Sequence, residues 1–144
     1  MDRFQVIPSV HLFLVRNQQI LLLRRFNTGF QDGNYSVPAG HLEGNETATE
    51  AMQREAREEC GIVVENLEPC GVMHRKSDQE RVDFFFTAGS WHGQIVNREP
   101  DKCDDLTWFP MGALPENTVP YVRYALQCFQ KNTWYMEFGF AAVS

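Results

Sequence analysis

The sequence predicts an α/β protein in which a mixed β-sheet is packed between helices, an α/β/α sandwich. Four runs rich in Leu, β-branched and aromatic residues are strand-like: 9–25, 63–75, 81–91 and 106–111. Two helical segments, residues 46–59 and 120–131, alternate with these runs along the chain. A length of 144 residues with 43% hydrophobic content suits one hydrophobic core, so residues 1–144 are expected to form a single domain.

The first strand-like run, SVHLFLVRNQQILLLRR, predicts a hairpin. Apolar residues flank a polar break at residues 16–19, so two strands are expected to pair through a turn there. The next stretch, NTGFQDGNYSVPAG, gathers Gly, Asn, Asp and Pro, which supply turns and left-handed backbone. It predicts a loop around a short strand at residues 35–37.

The segment at residues 46–59 is rich in Ala, Glu, Arg and Gln, which favour helices. Thr47 or Asn45 can supply its N-cap, and Gly61 is expected to end it. The second helix starts at Pro120, a residue favoured in the first turn, and its apolar spacing predicts three inward side chains. These are Val122, Leu126 and Phe129.

Composition and charge exclude several classes of function. A formal net charge of −6 disfavours broad binding of nucleic acid or of an anionic membrane, since both need clustered Lys and Arg. No stretch approaches the roughly 18 apolar residues of a membrane span, and the first residues contain no long apolar signal region. We therefore expect a cytoplasmic protein.

Neither the cysteines nor the histidines are spaced as metal ligands. The cysteines lack a C-x-x-C pair, which argues against a zinc ribbon or a disulfide framework and favours free thiols: Cys60, Cys70, Cys103 and Cys128. The histidines share no spacing and are expected to be structural or surface residues: His11, His41, His74 and His92. The aromatic tail WYMEFGF favours core packing or a subunit contact over stacking on a nucleobase.

Three glutamates lie close together on the first predicted helix. An α-helix turns by about 100° per residue, so Glu55, Glu58 and Glu59 fall within an arc of roughly 100°. The same arc holds three apolar residues: Ala48, Ala51 and Met52. The opposite side of the helix is expected to carry the polar residues Glu50, Gln53, Arg54 and Arg57.

Carboxylates on the apolar side of a helix need a compensating charge. A solvated charged face would turn the acids away from the alanines, where charges cost little. Three carboxylates that face the protein body repel one another and lose hydration unless a positive group lies among them. Glutamate oxygens are hard ligands, and without His or Cys nearby they favour Mg²⁺, or Mn²⁺, over Zn²⁺. The geometry therefore favours a metal site over a solvated face.

A longer pattern begins before the helix and runs to its end. Gly40 is followed after five residues by Glu46, and after seven more by REAREECGI at residues 54–62. This pattern resembles the complete Nudix box of the MutT-like nucleoside diphosphate-X hydrolases, with residues 40–62 filling every fixed position. The VPAG and LTWFP sequences on either side also resemble the family. The resemblance implies a Nudix-type α/β/α sandwich and hydrolysis of a diphosphate linked to another moiety X.

The resemblance also implies roles for individual residues. The family's metal ligands match the backbone carbonyl of Gly40 and the side chains of Glu55, Glu58 and Glu59. Glu46 matches the acid that pairs with Arg54 and fixes the loop against the helix. Gly44 and Asn45 stand where members often have Gly just before that first Glu, and Asn tolerates left-handed backbone almost as Gly does.

Hydrolysis of a diphosphate also needs a carboxylate that accepts a proton from the attacking water. Glu58 is the candidate, because it lies between the other two acids in sequence and can contact both metal and water. Members of the family differ in which acid does this, so Glu99 and Glu80 are alternatives. Glu99 is also a candidate substrate contact.

Substrate contacts are predicted from two further segments. Arg24 and Arg25 end a strand just before the Gly-rich loop. Side chains alternate along a strand, so only one of the two is expected to face inward. The inward arginine is a candidate to bind a substrate phosphate through its forked donors. Asn117 or Glu116 can hydrogen-bond a purine edge. A helix cap formed by Asn117 or Thr118 fits the same residues equally well.

Three functions follow. The first is a Mg²⁺-dependent pyrophosphohydrolase that acts on a nucleoside triphosphate or another nucleoside diphosphate-X. A small nucleotide is favoured as its substrate, and the sequence leaves open whether the protein forms a homodimer. The second is a nucleotide-binding or sensor module without catalysis, although such proteins typically lose box acids that this chain retains. The third is an isoprenoid-diphosphate isomerase, which needs a catalytic Cys, and Cys60 follows the acids without the expected context.

Overall fold

The computed structural model describes residues 2–141 of the chain. In chain order the elements are β1 (Ile7–Phe13), β2 (Val15–Arg16), β3 (Gln19–Arg25), β4 (Tyr35–Ser36), β5 (Ala39–His41), α1 (Ala48–Cys60), β6 (Val63–Lys76), β7 (Glu80–His92), β8 (Cys103–Pro110), α2 (Pro120–Gln130) and β9 (Tyr135–Phe138). Within the described residues, no helix has the length and apolar character needed to cross a membrane.

Two sheets form the centre of the fold. The larger sheet is mixed and has the strand order β5-β1-β7-β6-β9. Its β1–β7 and β6–β9 pairs are parallel, whereas its other pairs are antiparallel. In the smaller sheet, β3 pairs antiparallel with β2, β4 and β8. The predicted mixed sheet is confirmed, although the strands are divided between two sheets.

The two helices pack against opposite faces of β1 and β3. Leu12 and Leu21 belong to the hydrophobic core that contains α1. Phe13 and Leu22, one position further along each strand, belong to the core that contains α2. Strands buried on both faces have nearly continuous apolar sequences, which explains the runs HLFLV and ILLL. The predicted α/β/α sandwich is confirmed.

The predicted hairpin is wrong for most of its length. β2 and β3 pair only around a tight turn, in which Asn17 and Gln18 have φ of 52° and 63°. The chain passes from one sheet to the other at Leu14, whose carbonyl accepts a hydrogen bond from the N–H of Leu21 at 3.0 Å. β1 itself pairs with β5 and β7. An apolar pattern on both faces of a strand does not specify its partner, so the sequence suggested the nearest one.

The ends of α1 follow the predicted capping residues. Thr47, rather than Asn45, is the N-cap, and it forms a capping box with Glu50. Gly61 ends the helix in a left-handed conformation, and its N–H donates to the carbonyl of Arg57 at 3.1 Å. Asn45 has φ of 56°, so it adopts the left-handed backbone expected of this turn.

The C-terminal part contains a strand that the sequence did not predict. β9 adds in parallel to β6 at one edge of the larger sheet and buries Met136. It was missed because its four residues lie within a segment interpreted as an aromatic tail. The helix before it was predicted correctly: Val122 and Leu126 are buried, and Phe129 packs partly buried against the same core.

Candidate active site

The carboxyl group of Glu55 lies against the backbone of Gly40. Gly40 is the middle residue of β5, and α1 passes so close to it that a Cβ at this position would overlap the Glu55 carboxyl group. Only Gly permits this approach, because every other residue carries a Cβ. The side chain of one predicted metal ligand and the backbone of another are therefore neighbours.

Arg54 connects the loop before α1 to the helix. Its Nε donates to Glu46 Oε2 at 3.1 Å and its Nη2 donates to Glu46 Oε1 at 2.8 Å, which makes a forked contact. Nη2 also donates to the backbone carbonyl of His41 at 3.0 Å. The pKa of Glu46 is lowered by the bond from Arg54 and by a second from the N–H of Glu43. The charged pair holds the loop in place.

Two details of the predicted helix face are wrong. Arg54 was expected on the outer side, yet only 15% of its side chain is exposed. Its long side chain reaches around the helix, and Nη1 donates to Glu55 Oε1 at 2.7 Å and to Glu58 Oε2 at 3.3 Å. Glu58 was expected to face inward with the other acids, but 50% of its side chain is exposed. It lies at the rim, because its position on the helix is at the edge of the apolar arc.

Glu59 differs from the other two acids in having a carboxylate oxygen, Oε2, that is buried without a hydrogen-bond partner among the described residues. Burial raises the pKa of Glu59 well above its ordinary value, and the neighbouring carboxyl groups of Glu55 and Glu99 raise it further. The backbone N–H of Ala39, which donates to Glu59, acts in the opposite direction. A buried carboxylate oxygen without a partner is costly unless a cation or a proton satisfies it.

These observations fit a divalent cation. The chemistry of the donor set is that of a hard ion, since it consists of carboxylate oxygens and a backbone carbonyl. Within residues 2–141, no three His, Cys, Asp or Glu side chains are arranged to ligate a metal as they stand. Arg54 holds Glu55 and Glu58 instead. Binding of a cation therefore requires these two carboxylates to turn from Arg54 toward Glu59.

The glutamates open into a cleft of about 430 Å³. We call it the acidic cleft, after four of its lining residues: Glu55, Glu58, Glu59 and Glu99. Arg25 and Lys102 also line it, on the side of the loop that follows β3. Burial raises the pKa of Glu99, although Lys102 acts to lower it. The cleft thus combines carboxylates that suit a cation with two cationic side chains that suit phosphate oxygens.

Other predicted site residues lie elsewhere. Of the two arginines at the end of β3, Arg25 lines the cleft, whereas Arg24 is paired with Asp104 at 2.7 Å. Asn117 does not line the cleft; its Nδ2 donates to the carbonyl of Gly33 at 2.8 Å. Glu80 contacts His74 at 2.9 Å, also away from the cleft. Burial raises the pKa of the Cys60 thiol to about 12, so it is protonated at neutral pH.

A second pocket lies beside the acidic cleft, and apart from Arg25 and Gly40 its lining residues were not predicted as site residues. We call it the basic pocket, and six of its lining residues define it: His11, Arg25, His41, Arg75, Arg81 and Tyr121. They come from six elements, and only His41 lies within the motif at residues 40–62, so the fold is what brings them together. The Gly-rich sequence before β4, predicted as a loop, contributes Thr28 and Phe30 to this pocket.

His11 is held in the wall of the basic pocket. Its Nε2 lies 2.9 Å from the hydroxyl of Tyr121, and its ring stacks on Phe85 at 4.7 Å between centroids. Behind it, buried Asp83 accepts hydrogen bonds from Arg75 Nε at 2.7 Å and from Ser9 Oγ at 2.5 Å. Burial lowers the pKa of His11 from 6.5 to about 4. The imidazole is therefore neutral at physiological pH.

The pKa of His11 predicts a loss of stability in acid. Below pH 6.5 the unfolded chain gains a proton that the folded chain accepts only near pH 4. The free energy of unfolding should therefore fall as the pH drops through this interval, by up to about 3 kcal/mol from this residue. Urea unfolding of the wild type and of His11→Gln, at about pH 7 and about pH 4.5, measures the effect. Equal losses in both proteins would contradict the assignment.

The fold and site define an α/β/α-sandwich domain with a carboxylate-lined cleft that suits a divalent cation. A family model described as "NUDIX domain" matches residues 6–127. The chain therefore belongs to the NUDIX domain family.

Curated relatives and solved structures are similar to this chain. "NAD-capped RNA hydrolase NudC" from Pseudomonas aeruginosa (strain LESB58) is 35% identical over 108 residues, which cover 75% of this chain and 37% of the relative. The same-named protein from Pseudomonas entomophila (strain L48) is 33% identical over 111 residues, which cover 77% and 39%. The chain thus spans less than half the length of these relatives.

Two solved structures are matched over most of their length. The crystal structure of a MutT NUDIX hydrolase from Burkholderia pseudomallei has a TM-score of 0.81 and 27% identity, covering 86% of this chain and 98% of that one. The solution structure of the E. coli ORF135 protein has a TM-score of 0.76 and 25% identity, covering 88% and 90%.

Proposed function

We propose that this protein is a divalent-metal-dependent Nudix hydrolase that cleaves a diphosphate linkage in a nucleoside triphosphate or another nucleoside diphosphate-X. The single observation that carries the proposal is the buried, unpartnered Oε2 of Glu59. It lies beside the carboxyl group of Glu55, which in turn contacts Gly40. Mg²⁺ is the proposed ion, with Mn²⁺ as a substitute, because all the donors are oxygens.

The similar proteins support hydrolysis of a diphosphate. Two of them are named NAD-capped RNA hydrolases and a third a MutT NUDIX hydrolase. The net charge of −6 disfavours a long nucleic acid as substrate, so we propose a small nucleotide or nucleotide-like diphosphate. We also propose that the protein works in the cytoplasm, where its free thiols stay reduced.

The proposed metal ligands are the carbonyl of Gly40 and the carboxylates of Glu55, Glu58 and Glu59. When bound there, Mg²⁺ would neutralise charge on the phosphate oxygens and lower the pKa of the attacking water. Arg25 and Lys102 also line the acidic cleft, where their cationic side chains can orient the diphosphate. The Glu46–Arg54 pair fixes the loop between β5, which contains Gly40, and α1, which carries the glutamates, and so keeps the ligands close together.

The general base is proposed to be Glu58, with Glu99 as the alternative. Glu58 is half-exposed at the rim of the acidic cleft, where it can reach a water molecule, and Glu99 lines the same cleft. Glu58→Gln should lower kcat by about 100-fold or more, and the fall of kcat at acidic pH should disappear. Glu99→Gln should keep that fall of kcat at acidic pH. The pH profiles of kcat for both variants decide the assignment, and the opposite result would make Glu99 the base.

A substrate panel tests the proposed function. Purified protein with Mg²⁺ should hydrolyse at least one of these compounds: (d)NTPs, oxidised dGTP, NAD⁺, ADP-ribose, dinucleoside polyphosphates and sugar nucleotides. The products are phosphate, pyrophosphate or the two halves of the cleaved diphosphate. EDTA should abolish the reaction and Mn²⁺ should restore it. An inactive protein that still bound Mg²⁺ and nucleotide would contradict the hydrolase and favour a binding or sensor module.

The isomerase alternative has little support from the site. It needs a reactive Cys, and thiolate is the reactive form. Burial raises the pKa of Cys60 to about 12, and that of Cys103, the cysteine lining the acidic cleft, is also raised by burial.

A further inference from the structure

We propose that the basic pocket binds a phosphate group carried by the X moiety of the substrate, while the acidic cleft holds the diphosphate linkage. The placement of this phosphate on X rests on the proposed function, whereas the affinity of the basic pocket for phosphate does not. The inference has three supports: the charge of the pocket, its unsatisfied donors and its position.

The basic pocket has a surplus of positive charge. Three arginines line it, and none of the described residues that line it is Asp or Glu. Asp83 offsets one of these charges, since Arg75 donates to both its carboxylate oxygens at 2.7 and 3.2 Å. Asp78 approaches Arg81 at 3.5 Å, but 74% of its side chain is exposed, so this contact is weak. The remaining charge matches a phosphate monoester, which carries about −1.5 to −2 near neutral pH.

Two polar groups in the pocket wall are buried without a partner. Among the described residues, neither Nε of Arg81 nor Nδ1 of His11 has a hydrogen-bond partner. The His11 side chain is only 1% exposed, and its other ring nitrogen already contacts Tyr121. Unsatisfied buried donors are rare in folded proteins, because each loses its hydration without replacement. A bound anion would satisfy the Nε–H of Arg81, and it would also satisfy Nδ1 of His11 in the tautomer in which the Tyr121 hydroxyl donates to Nε2.

The pocket is shaped by contacts that do not use up its donors. Arg75 stacks over the ring of Tyr121, with 3.7 Å between its Cζ and the ring centroid, so its plane is fixed. Arg81 Nη1 lies 3.2 Å from Nε2 of His41. Held guanidinium groups bind phosphate with less loss of side-chain entropy than mobile ones. The basic pocket is therefore organised before an anion enters.

The basic pocket and the acidic cleft are neighbours. Arg25, Thr28 and Ala39 line both of them. The two spaces have volumes of about 430 and 340 Å³, so each can hold a phosphate together with part of a sugar. A substrate that spans both would place its diphosphate beside the glutamates and a further phosphate beside the arginines. This arrangement predicts a preference for an X moiety that carries its own phosphate.

Phosphate binding is tested first without any metal. Isothermal titration calorimetry in EDTA should show that inorganic phosphate binds the wild type, and that Arg81→Gln weakens the affinity by about 10-fold or more. Lys76→Gln is the matched control, because it removes one positive charge from an exposed position next to Arg75 in β6. Equal affinities of the two variants, or acetate binding as tightly as phosphate, would overturn the proposal.

The second test uses substrates that differ by one phosphate. With Mg²⁺, ADP-ribose 1″-phosphate and NADP⁺ are compared with ADP-ribose and NAD⁺. The extra phosphate of ADP-ribose 1″-phosphate lies on the terminal ribose, and that of NADP⁺ lies on the adenosine, which is X when nicotinamide riboside is the nucleoside. At least one phosphorylated member should have a KM about 10-fold lower than its partner, and Arg81→Gln should remove the difference. Equal KM values in both pairs would refute the placement of the phosphate on X. If none of the four is hydrolysed, calorimetry still decides whether the pocket binds phosphate, so the two proposals fail separately.

A measurement on the wild type covers the case in which Arg81→Gln does not fold. Adding phosphate to isotope-labelled protein in EDTA should shift the NMR signals of the Arg81 Nε–H and the His11 ring. The signal of the Arg24 Nε–H, which donates to Asp104, should stay in place. Shifts at Arg24 without shifts at Arg81 would exclude the basic pocket as the binding site.

Discussion

Glu59→Gln should reduce the hydrolytic rate by at least about two orders of magnitude, the usual scale for loss of a key electrostatic group. The variant should fold as well as the wild type, or better, in the absence of metal. Glu59 is buried beside other carboxyl groups, which raises its pKa, and a neutral amide of the same shape removes that repulsion. Steady-state kinetics with Mg²⁺ and thermal unfolding in EDTA measure the two effects.

Glu50→Gln is the matched control for this experiment. Glu50 lies on the exposed side of the same helix, and its carboxylate accepts a hydrogen bond from the N–H of Thr47 at 2.8 Å. Gln keeps that acceptor, so the capping box survives. Activity should change little. Equal losses of activity in Glu50→Gln and Glu59→Gln would show that any charge change on α1 is harmful, and the proposed role of Glu59 would be wrong.

Gly40→Ala should weaken Mg²⁺ binding and activity by about 10-fold or more, the scale seen when metal ligands are misoriented. The added Cβ would overlap the carboxyl group of Glu55, so that carboxyl group must turn away from β5. Mg²⁺ titrations followed by calorimetry, with kcat and KM from steady-state kinetics, test this expectation.

Gly112→Ala provides the comparison for Gly40→Ala. Gly112 has no heavy atom within 4 Å of an added Cβ, so an Ala there meets open space. It should leave both metal affinity and activity close to those of the wild type. If Gly40→Ala behaved in the same way, the close approach of Glu55 to β5 would not matter for the metal site.

The sequence alone was enough for the features that depend on neighbouring residues. The cap at Thr47, which was one of two candidate N-caps, the left-handed Gly61 at the end of α1 and the turn at Asn45 are all local, since each involves residues within a few positions. The three box glutamates could be grouped for the same reason, because helical periodicity places them on adjacent parts of one surface. The first helix with its ends and the ligand candidates on it were therefore predictable.

Helical periodicity fixes the direction of a Cβ but not the end of a long side chain. Arg54 starts from the side of α1 that was predicted to face solvent, yet its guanidinium lies among Glu46, Glu55 and Glu58. The electrostatic attraction of three carboxylates outweighs the direction of the Cα–Cβ bond. For the same reason, the sequence did not show that Glu55 and Glu58 are held by an arginine.

The sequence by itself determined the two helices, the longer strands and the acids available to a metal. The tertiary structure decided that β1 and β3 lie in different sheets, that β9 pairs with β6, and that His11, Arg75 and Arg81 share one pocket. The physical reason is that strands apolar on both faces can accept several partners, and the choice is made by packing over the whole core. Residues far apart in the chain become neighbours only after that choice.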